Sequence, residues 1–368
     1  MYPDLRGCAT KPLSTLYQQR GNFWVIENYI PALLSFDCDA SVTYTTHSEY
    51  SYLHNLDVVA SRWQGPISIA VYASGTDFDE AVRAILYLRT CRSKNIEKYV
   101  SFHLFFNISH TPRKIPTFEE LMKRDINCND KPPLWSNTKT YRHQKNLSYP
   151  INVARNIARL ASQTYFVLPC DVELIPSVNV IPEFFEMLRR PDVSTTTKPR
   201  VYVLPVFEVK ENLEVPRAKK ELQRMLQRGD AIVFHENICP ECHTIPNYEE
   251  WRQLPALGNL SVFHIGKRTF SHYAWEPIYI GTNQEPLYDE RLSWEGQRDK
   301  MTQMYILCVR DYEFHILDNA FLVHRPGIKS TEPSGEQKSL ILEQYRFIRD
   351  IIIPQYKSIF GSSIFCGV

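Results

Sequence analysis

In the stretch YFVLPCDVEL (165–174), an apolar run gives way to two acids one residue apart, Asp171 and Glu173. If the extended chain continues through them, side chains alternate and both carboxylates point the same way. Like charges that close repel unless a cation lies between them. Hard divalent cations such as Mn²⁺ or Mg²⁺ take oxygen ligands, and Mn²⁺ also accepts imidazole. The segment AFLVHRPG (320–327) supplies one, because its apolar strand ends in His324. The competing reading is a loop-capping pair of acids and a hydrogen-bonded surface histidine.

A second group lies in HENICPECH (235–243), with His235, Cys239, Cys242 and His243. Cys-x-x-Cys beside histidines suits Zn²⁺, a redox pair or a disulfide. No second Cys-x-x-Cys completes a zinc signature, so the expectation is a structural segment shaping the loop into NYEEW (247–251). In YPINVARNIARLAS (149–162), Val153, Ile157, Leu160 and Ala161 share one helical face, and Arg155 and Arg159 lie one turn apart on another. Two arginines so spaced suit a diphosphate, and equally a solvated helix face.

These residues need a scaffold, and the chain alternates strands with helices. PISIAVYA (66–73) reads as a strand, DFDEAVRAILYLRTC (77–91) as a helix and YVSFHLFFN (99–107) as the next strand, a βαβ start to a mainly parallel sheet. The arginine helix follows and leads straight into the strand before Asp171. RVYVLPVFEV (200–209) is expected as one strand, and PRAKKELQRMLQRG (216–229) as a helix stopped by Gly229. DKMTQMYILCVR (299–310) is a further helix, YEFHILDNAFLVHRPG (312–327) two short strands about a turn, and SLILEQYRFIRDIIIP (339–354) a final amphipathic helix. The fold class is α/β. In such sheets ligands bind outside the carboxyl ends of strands, which is where Asp171 and Glu173 fall.

Lys plus Arg number 42 against 41 for Asp plus Glu, so no global field favours nucleic acid or an anionic membrane. No run approaches the roughly 20 apolar residues that span a bilayer, and the start has no apolar signal-peptide core, so the chain as given reads as soluble. Nine cysteines are too scattered for a small disulfide scaffold. Three sequons, at Asn107, Asn146 and Asn259, would suit a secretory lumen.

The segments YPINVARNIARLASQTYFVLPCDVELIPS, VLPVFEV, CPECHTIPNYEEW, WEPIYI, YDERL and YEFHILDNAFLVHRPG follow one another in an order that resembles the β-1,4-glucuronyltransferase 1 family. They also resemble the second transferase domain of the LARGE glycosyltransferases. The likeness runs from about GPISIAVYA (65–73) onward. It implies a GT-A fold over 65–368, with 1–64 as an N-terminal segment packed on it or leading into it. It further implies a UDP-glucuronate donor, a glycan or glycoprotein acceptor and a Golgi lumen location, with any membrane anchor lying outside this chain. Asp171, Glu173 and His324 would hold Mn²⁺, and the donor would be met by Tyr72, Ser74, Arg155, Arg159, Asp171 and Glu173. The family inverts the anomeric centre, which calls for a general base on the acceptor hydroxyl; Asp289, Glu295 and Asp299 are the candidates.

The chain departs from the family pattern twice. Glu173 stands where the family usually has Asp, and SWEGQRDK (293–300) replaces an aromatic, glycine-rich turn. Three functions follow: an inverting, metal-dependent glucuronyltransferase, a transferase of another UDP-sugar, and a degenerate member that binds a sugar nucleotide or glycan without turnover.

Overall fold

A computed structural model describes residues 8–130, 132–133, 135, 139–191, 198–256, 258–269, 272–328 and 335–368. Its contacts divide the chain into two compact units, 7–173 and 174–368.

In unit 7–173 the strands are β1 (Leu16–Arg20), β2 (Phe23–Ile30), β3 (Val42–Ser48), β4 (Ile67–Tyr72), β5 (Val100–Asn107) and β6 (Phe166–Pro169). The helices are α1 (Leu56–Trp63), α2 (Asp77–Tyr87), α3 (Lys94–Tyr99), α4 (Phe118–Met122), α5 (Tyr141–Gln144) and α6 (Ile151–Leu160). β3, β4 and β5 run parallel, β6 adds in parallel on the far side of β3, and β2 and β1 close the other edge antiparallel. Every residue of β3 and β4 is buried, as expected for strands covered on both faces. The expected N-terminal segment, 1–64, therefore contributes β1, β2 and the central β3. Its alternation of small polar and aromatic residues in VTYTTHS gave no apolar run from which to read a strand.

Unit 174–368 holds two four-stranded sheets. The first orders β12 (Ile278–Thr282), β8 (Arg200–Leu204), β13 (Glu313–Asp318) and β11 (Ser261–Gly266). The second orders β10 (Ala231–Val233), β9 (Val206–Val209), β14 (Leu322–His324) and β7 (Leu174–Pro176). The single strand expected over 200–209 is two, broken at Pro205, which has no amide to give a ladder. The pair expected over 312–327 is present, but β13 and β14 do not pair with each other. A left-handed Asn319 (φ 62°) lies between them, β13 runs beside β8, and β14 runs beside β9. A parallel two-stranded ribbon thus passes from one sheet into the other.

The helices of this unit are α7 (Val180–Arg189), α8 (Lys219–Arg228), α9 (Pro240–His243), α10 (Tyr248–Gln253), α11 (Met301–Val309), α12 (Gly335–Phe347) and α13 (Ile353–Phe360). Gly229 ends α8 in the left-handed conformation, as its position predicts. The core gathers on Trp251, which stacks on Phe207 at 5.5 Å and donates its indole N–H to the Leu317 carbonyl. The last helix is less amphipathic than its sequence suggests. α12 buries none of its residues, and a wide turn over 348–352 precedes Pro354, sinking only Ile348 and Ile352. That wider turn is what a helix uses to pass a residue lacking an amide.

Four disulfides staple the two units internally, Cys8–Cys38 and Cys91–Cys128 in the first and Cys239–Cys242 and Cys308–Cys366 in the second. Cys170 is buried and takes no part in a disulfide. No helix among the described residues is long and apolar enough to cross a membrane.

Candidate active site

Within 7–173 the chain proceeds from β3 outward to β4 and β5, then returns to place β6 on the opposite side of β3. The strand order reverses there. Such a switch point opens a crevice at the carboxyl ends of the two diverging strands. The β3 end carries His47 and Glu49, and the β6 end carries Cys170 and Asp171.

Asp171 is gripped from two sides. His47 Nε2 lies 3.2 Å from its Oδ1, and an Arg155 Nη2–H donates to the same oxygen at 3.1 Å. The Tyr44 hydroxyl donates to the Asp171 carbonyl at 2.8 Å, which fixes the backbone as well. Arg155 and Arg159 are 3% and 1% exposed, so the solvated-face reading of these arginines does not hold. Both sit on the packed side of α6, and Arg155 also donates to Asn152 Oδ1 at 3.0 Å. Glu173 does not share a strand with Asp171. Extended geometry ends at Pro169, and residues 172–173 form a turn before β7, so side-chain alternation does not orient this pair.

The 139–149 segment packs beside these strand ends. Asp77 at the start of α2 accepts the amides of Tyr141 (2.8 Å) and Arg142 (3.2 Å). Burial raises the Asp77 carboxyl despite those amides. Arg142 forms a buried two-pronged pair with Glu49, at 2.6 and 3.2 Å. Tyr149 places its hydroxyl 2.9 Å from His47 Nδ1. Gly75 lies under the Tyr141 ring in the left-handed region, and an added Cβ would come within 2.6 Å of that ring. Tyr72 packs against Phe23, Phe105 and Tyr149, and Ser74 is fully buried with its hydroxyl accepting the Asn107 amide.

In unit 174–368, His324 closes β14 and is buried, not a surface histidine. Its Nδ1 lies 2.9 Å from the Arg325 carbonyl, an acceptor, so Nδ1 carries a proton and donates. The ring stacks on Phe234 at 5.5 Å, and His235 and His243 flank the same phenylalanine. The Cys239–Cys242 segment is a disulfide, which removes both thiols as zinc ligands.

The three acids considered as base differ in setting. Asp289 accepts Arg291 at both oxygens (2.9 and 2.6 Å) and the Tyr356 hydroxyl at 2.9 Å. Burial alone would raise its carboxyl, but the hydrogen bonds from Arg291 and Tyr356 outweigh this and hold it below the usual range. A proton acceptor works best with a pKa near the operating pH, so this geometry suits an ion pair better than a base. Glu295 and Asp299 lie on a loop pinned by Gln344, whose amide accepts the Ser293 amide at 2.9 Å and donates to the Ser293 carbonyl at 3.1 Å.

Asp289 yields a pH prediction. Its folded pKa is depressed, so its contribution to stability is present above the unfolded value of about 3.9 and is lost as pH falls through the folded value. Thermal midpoints measured from pH 6 to pH 3 should fall, and Asp289→Asn should flatten that part of the curve. An unchanged slope in the variant would refute the assignment.

The sequence model of the family described as "Glycosyl-transferase for dystroglycan" matches residues 41–361. The chain belongs to this glycosyltransferase family. It is 30% identical over 296 residues to "Beta-1,4-glucuronyltransferase 1" of Danio rerio, covering 76% of this chain and 65% of the relative. It is 27% identical over 302 residues to the Homo sapiens protein of that name, covering 81% of this chain and 70% of the relative. Against "Xylosyl- and glucuronyltransferase LARGE1" of Homo sapiens, identity is 23% over 303 residues, 82% of this chain but 33% of the relative. The chain thus spans a little under two thirds of the Danio rerio relative and a third of the LARGE1 relative.

For this glycosyltransferase the switch-point crevice explains why Asp171 and Arg155 were visible in sequence and His47, Glu49, Arg142 and Tyr149 were not. The first two sit on a strand end and helix with clear periodicity. The others come from β3 and its end, the short α5 and the loop before α6, none of which carried a periodic signal. Among the described residues no three His, Cys, Asp or Glu side chains are gathered closely enough to hold a metal ion. Asp171 and Glu173 nonetheless offer the carboxylate oxygens that a hard divalent cation takes, and His324 is of the imidazole type that Mn²⁺ also accepts.

Proposed function

We propose that this chain is an inverting glucuronyltransferase of GT-A type. It moves glucuronic acid from UDP-glucuronate to a glycan or glycoprotein terminus. The observation that carries the reading is the crevice at the β3/β6 switch point, where Asp171 is held by a buried arginine in a member of a glycosyltransferase family. The names of the relatives supply the sugar.

Cleaving the bond between sugar and UDP leaves negative charge on the diphosphate. Mn²⁺ held by Asp171, Glu173 and His324 would supply Lewis-acid stabilisation of that charge. Arg155 is positioned by Asp171 and Asn152, and Arg159 lies one turn on; both are suited to the donor diphosphate. Glu295 or Asp299 takes the proton of the acceptor hydroxyl.

The test is a panel of UDP-sugars with and without Mn²⁺, read by thermal shift and by UDP release. A true donor stabilises the folded chain in proportion to the logarithm of its concentration over Kd. UDP-glucuronate is expected to give the largest shift, and the shift should need Mn²⁺. Release from another UDP-sugar alone would reassign the donor, and binding without release would favour a non-catalytic member.

Four disulfides fit an oxidising compartment, which supports the Golgi lumen reading. The sequons make it testable. Asn146 and Asn259 are exposed, and Asn146 adopts a left-handed turn (φ 50°), whereas Asn107 is partly buried with its Oδ1 taken by the Ser109 amide at 2.9 Å. Protein isolated from its native source is expected to lose mass on treatment with peptide N-glycosidase, with Asn146 and Asn259 as the modified residues. No mass change would count against a luminal location.

A further inference from the structure

A hydrogen-bonded series ends on Asp171, and the donor and metal assignments give no role to its other two members, His47 and Tyr149. It runs from the Tyr149 hydroxyl to His47 Nδ1 at 2.9 Å, and from His47 Nε2 to Asp171 Oδ1 at 3.2 Å. We propose that His47 and Tyr149 are positioning residues for Asp171, fixing the plane of its carboxylate so that the acid is preorganised for cation and donor. This rests on the reading of Asp171 as part of the donor site.

The direction of each bond follows from what the groups can give. Asp171 is paired with Arg155 and accepts. His47 Nε2 must therefore bear the proton, and in a neutral imidazole Nδ1 then accepts. Tyr149 is the donor to it. Burial first, and then the charge of Glu49, push the Tyr149 phenol well above its ordinary value, so it keeps the proton it donates.

The series is rigid at both ends. His47 is the sixth residue of a strand whose every residue is buried, and its ring packs on the Tyr149 ring at 5.6 Å. The Arg142 guanidinium lies over the Tyr149 ring at 5.9 Å and is itself locked by Glu49. At the far end, His47 and Arg155 both reach Oδ1, so two donors on one oxygen set the direction in which Oδ2 faces. Asp171 is the more exposed member, with about a third of its side chain open to solvent, and without such support it would sample several rotamers. Outer partners of a metal-binding carboxylate typically change metal affinity by about 10–100-fold when removed.

Three variants test this: Tyr149→Phe, which keeps the ring and removes the hydroxyl; His47→Ala, which removes the link; and His47→Gln, whose amide can still donate to Asp171 while accepting from Tyr149. Mn²⁺ uptake in the presence of UDP is followed by the electron paramagnetic resonance signal of the free ion. Melting of the metal-free protein is measured alongside. Tyr149→Phe and His47→Ala are expected to weaken Mn²⁺ uptake by about tenfold or more, with His47→Gln recovering most of it. A merely structural role would instead lower the melting temperature and leave affinity in step with the folded fraction. Affinities equal to wild type in Tyr149→Phe and His47→Ala, or His47→Gln no better than His47→Ala, overturn the positioning role alone. Wild-type protein that takes up no Mn²⁺ with UDP overturns the metal reading, and this inference with it.

Discussion

Asp171→Asn is expected to reduce Mn²⁺-dependent UDP release by about 10²–10³-fold, the scale of losing a group that stabilises charge developing in the transition state. The substitution keeps shape and leaves an oxygen able to accept from His47 and Arg155, so it isolates charge from packing. Its structural cost falls on Arg155, which is 3% exposed and would lose its carboxylate partner. Stripping one member from a fully buried pair costs several kcal/mol, but Asp171 is about one-third exposed and asparagine preserves a hydrogen bond. The expected loss of stability is therefore smaller, about 1–2 kcal/mol. Activity and stability should separate: a folded protein with a normal melting profile within a few degrees, but without Mn²⁺-dependent turnover. Retained turnover in Asp171→Asn would remove Asp171 from the site.

The parts of this molecule that sequence conveys best are those in which one physical cue dominates. β4 and β5 are legible because strands buried on both faces are mostly apolar. Gly229 is legible because a left-handed residue after a helix favours glycine. β3 is as deeply buried as β4, yet it reads V-T-Y-T-T-H-S, and only part of its buried polar set is met by hydrogen bonds, such as that between Thr43 and Thr164 at 2.6 Å. Those partners lie 121 residues apart and cannot be inferred from local pattern. The same holds for the site. Asp171 announces itself by standing at a strand end and Arg155 by its place on α6, while His47, which also holds Asp171, and Tyr149, which holds His47, come from β3 and the loop before α6. The break of 200–209 at Pro205 was local and could have been read: a proline without an amide interrupts a ladder wherever its strand lies inside a sheet.

Glu173 decides whether this family member is tuned or impaired. The family usually has Asp at this place, so Glu173→Asp restores the common acid, and a site still shaped for it would gain Mn²⁺ affinity and turnover. A loss of both is expected instead. Glu173 follows Asp171 through a turn and not along a strand, so its carboxylate reaches its position by side-chain length. Shortening it by one methylene withdraws the oxygens by about 1.5 Å, whereas cation–oxygen distances tolerate only about 0.2 Å. Glu173→Gln should abolish Mn²⁺-dependent UDP release as well, at nearly constant volume. Its effect on the metal-free protein should be small, because the change removes one carboxylate charge at nearly constant volume and leaves an amide that can still hydrogen-bond. The pair of variants therefore has a distinctive signature: both lose Mn²⁺ uptake, and Glu173→Gln melts close to the wild-type temperature without metal. Gain of turnover in Glu173→Asp would show a site impaired by its longer acid. Turnover unaffected by Glu173→Gln would place the cation elsewhere.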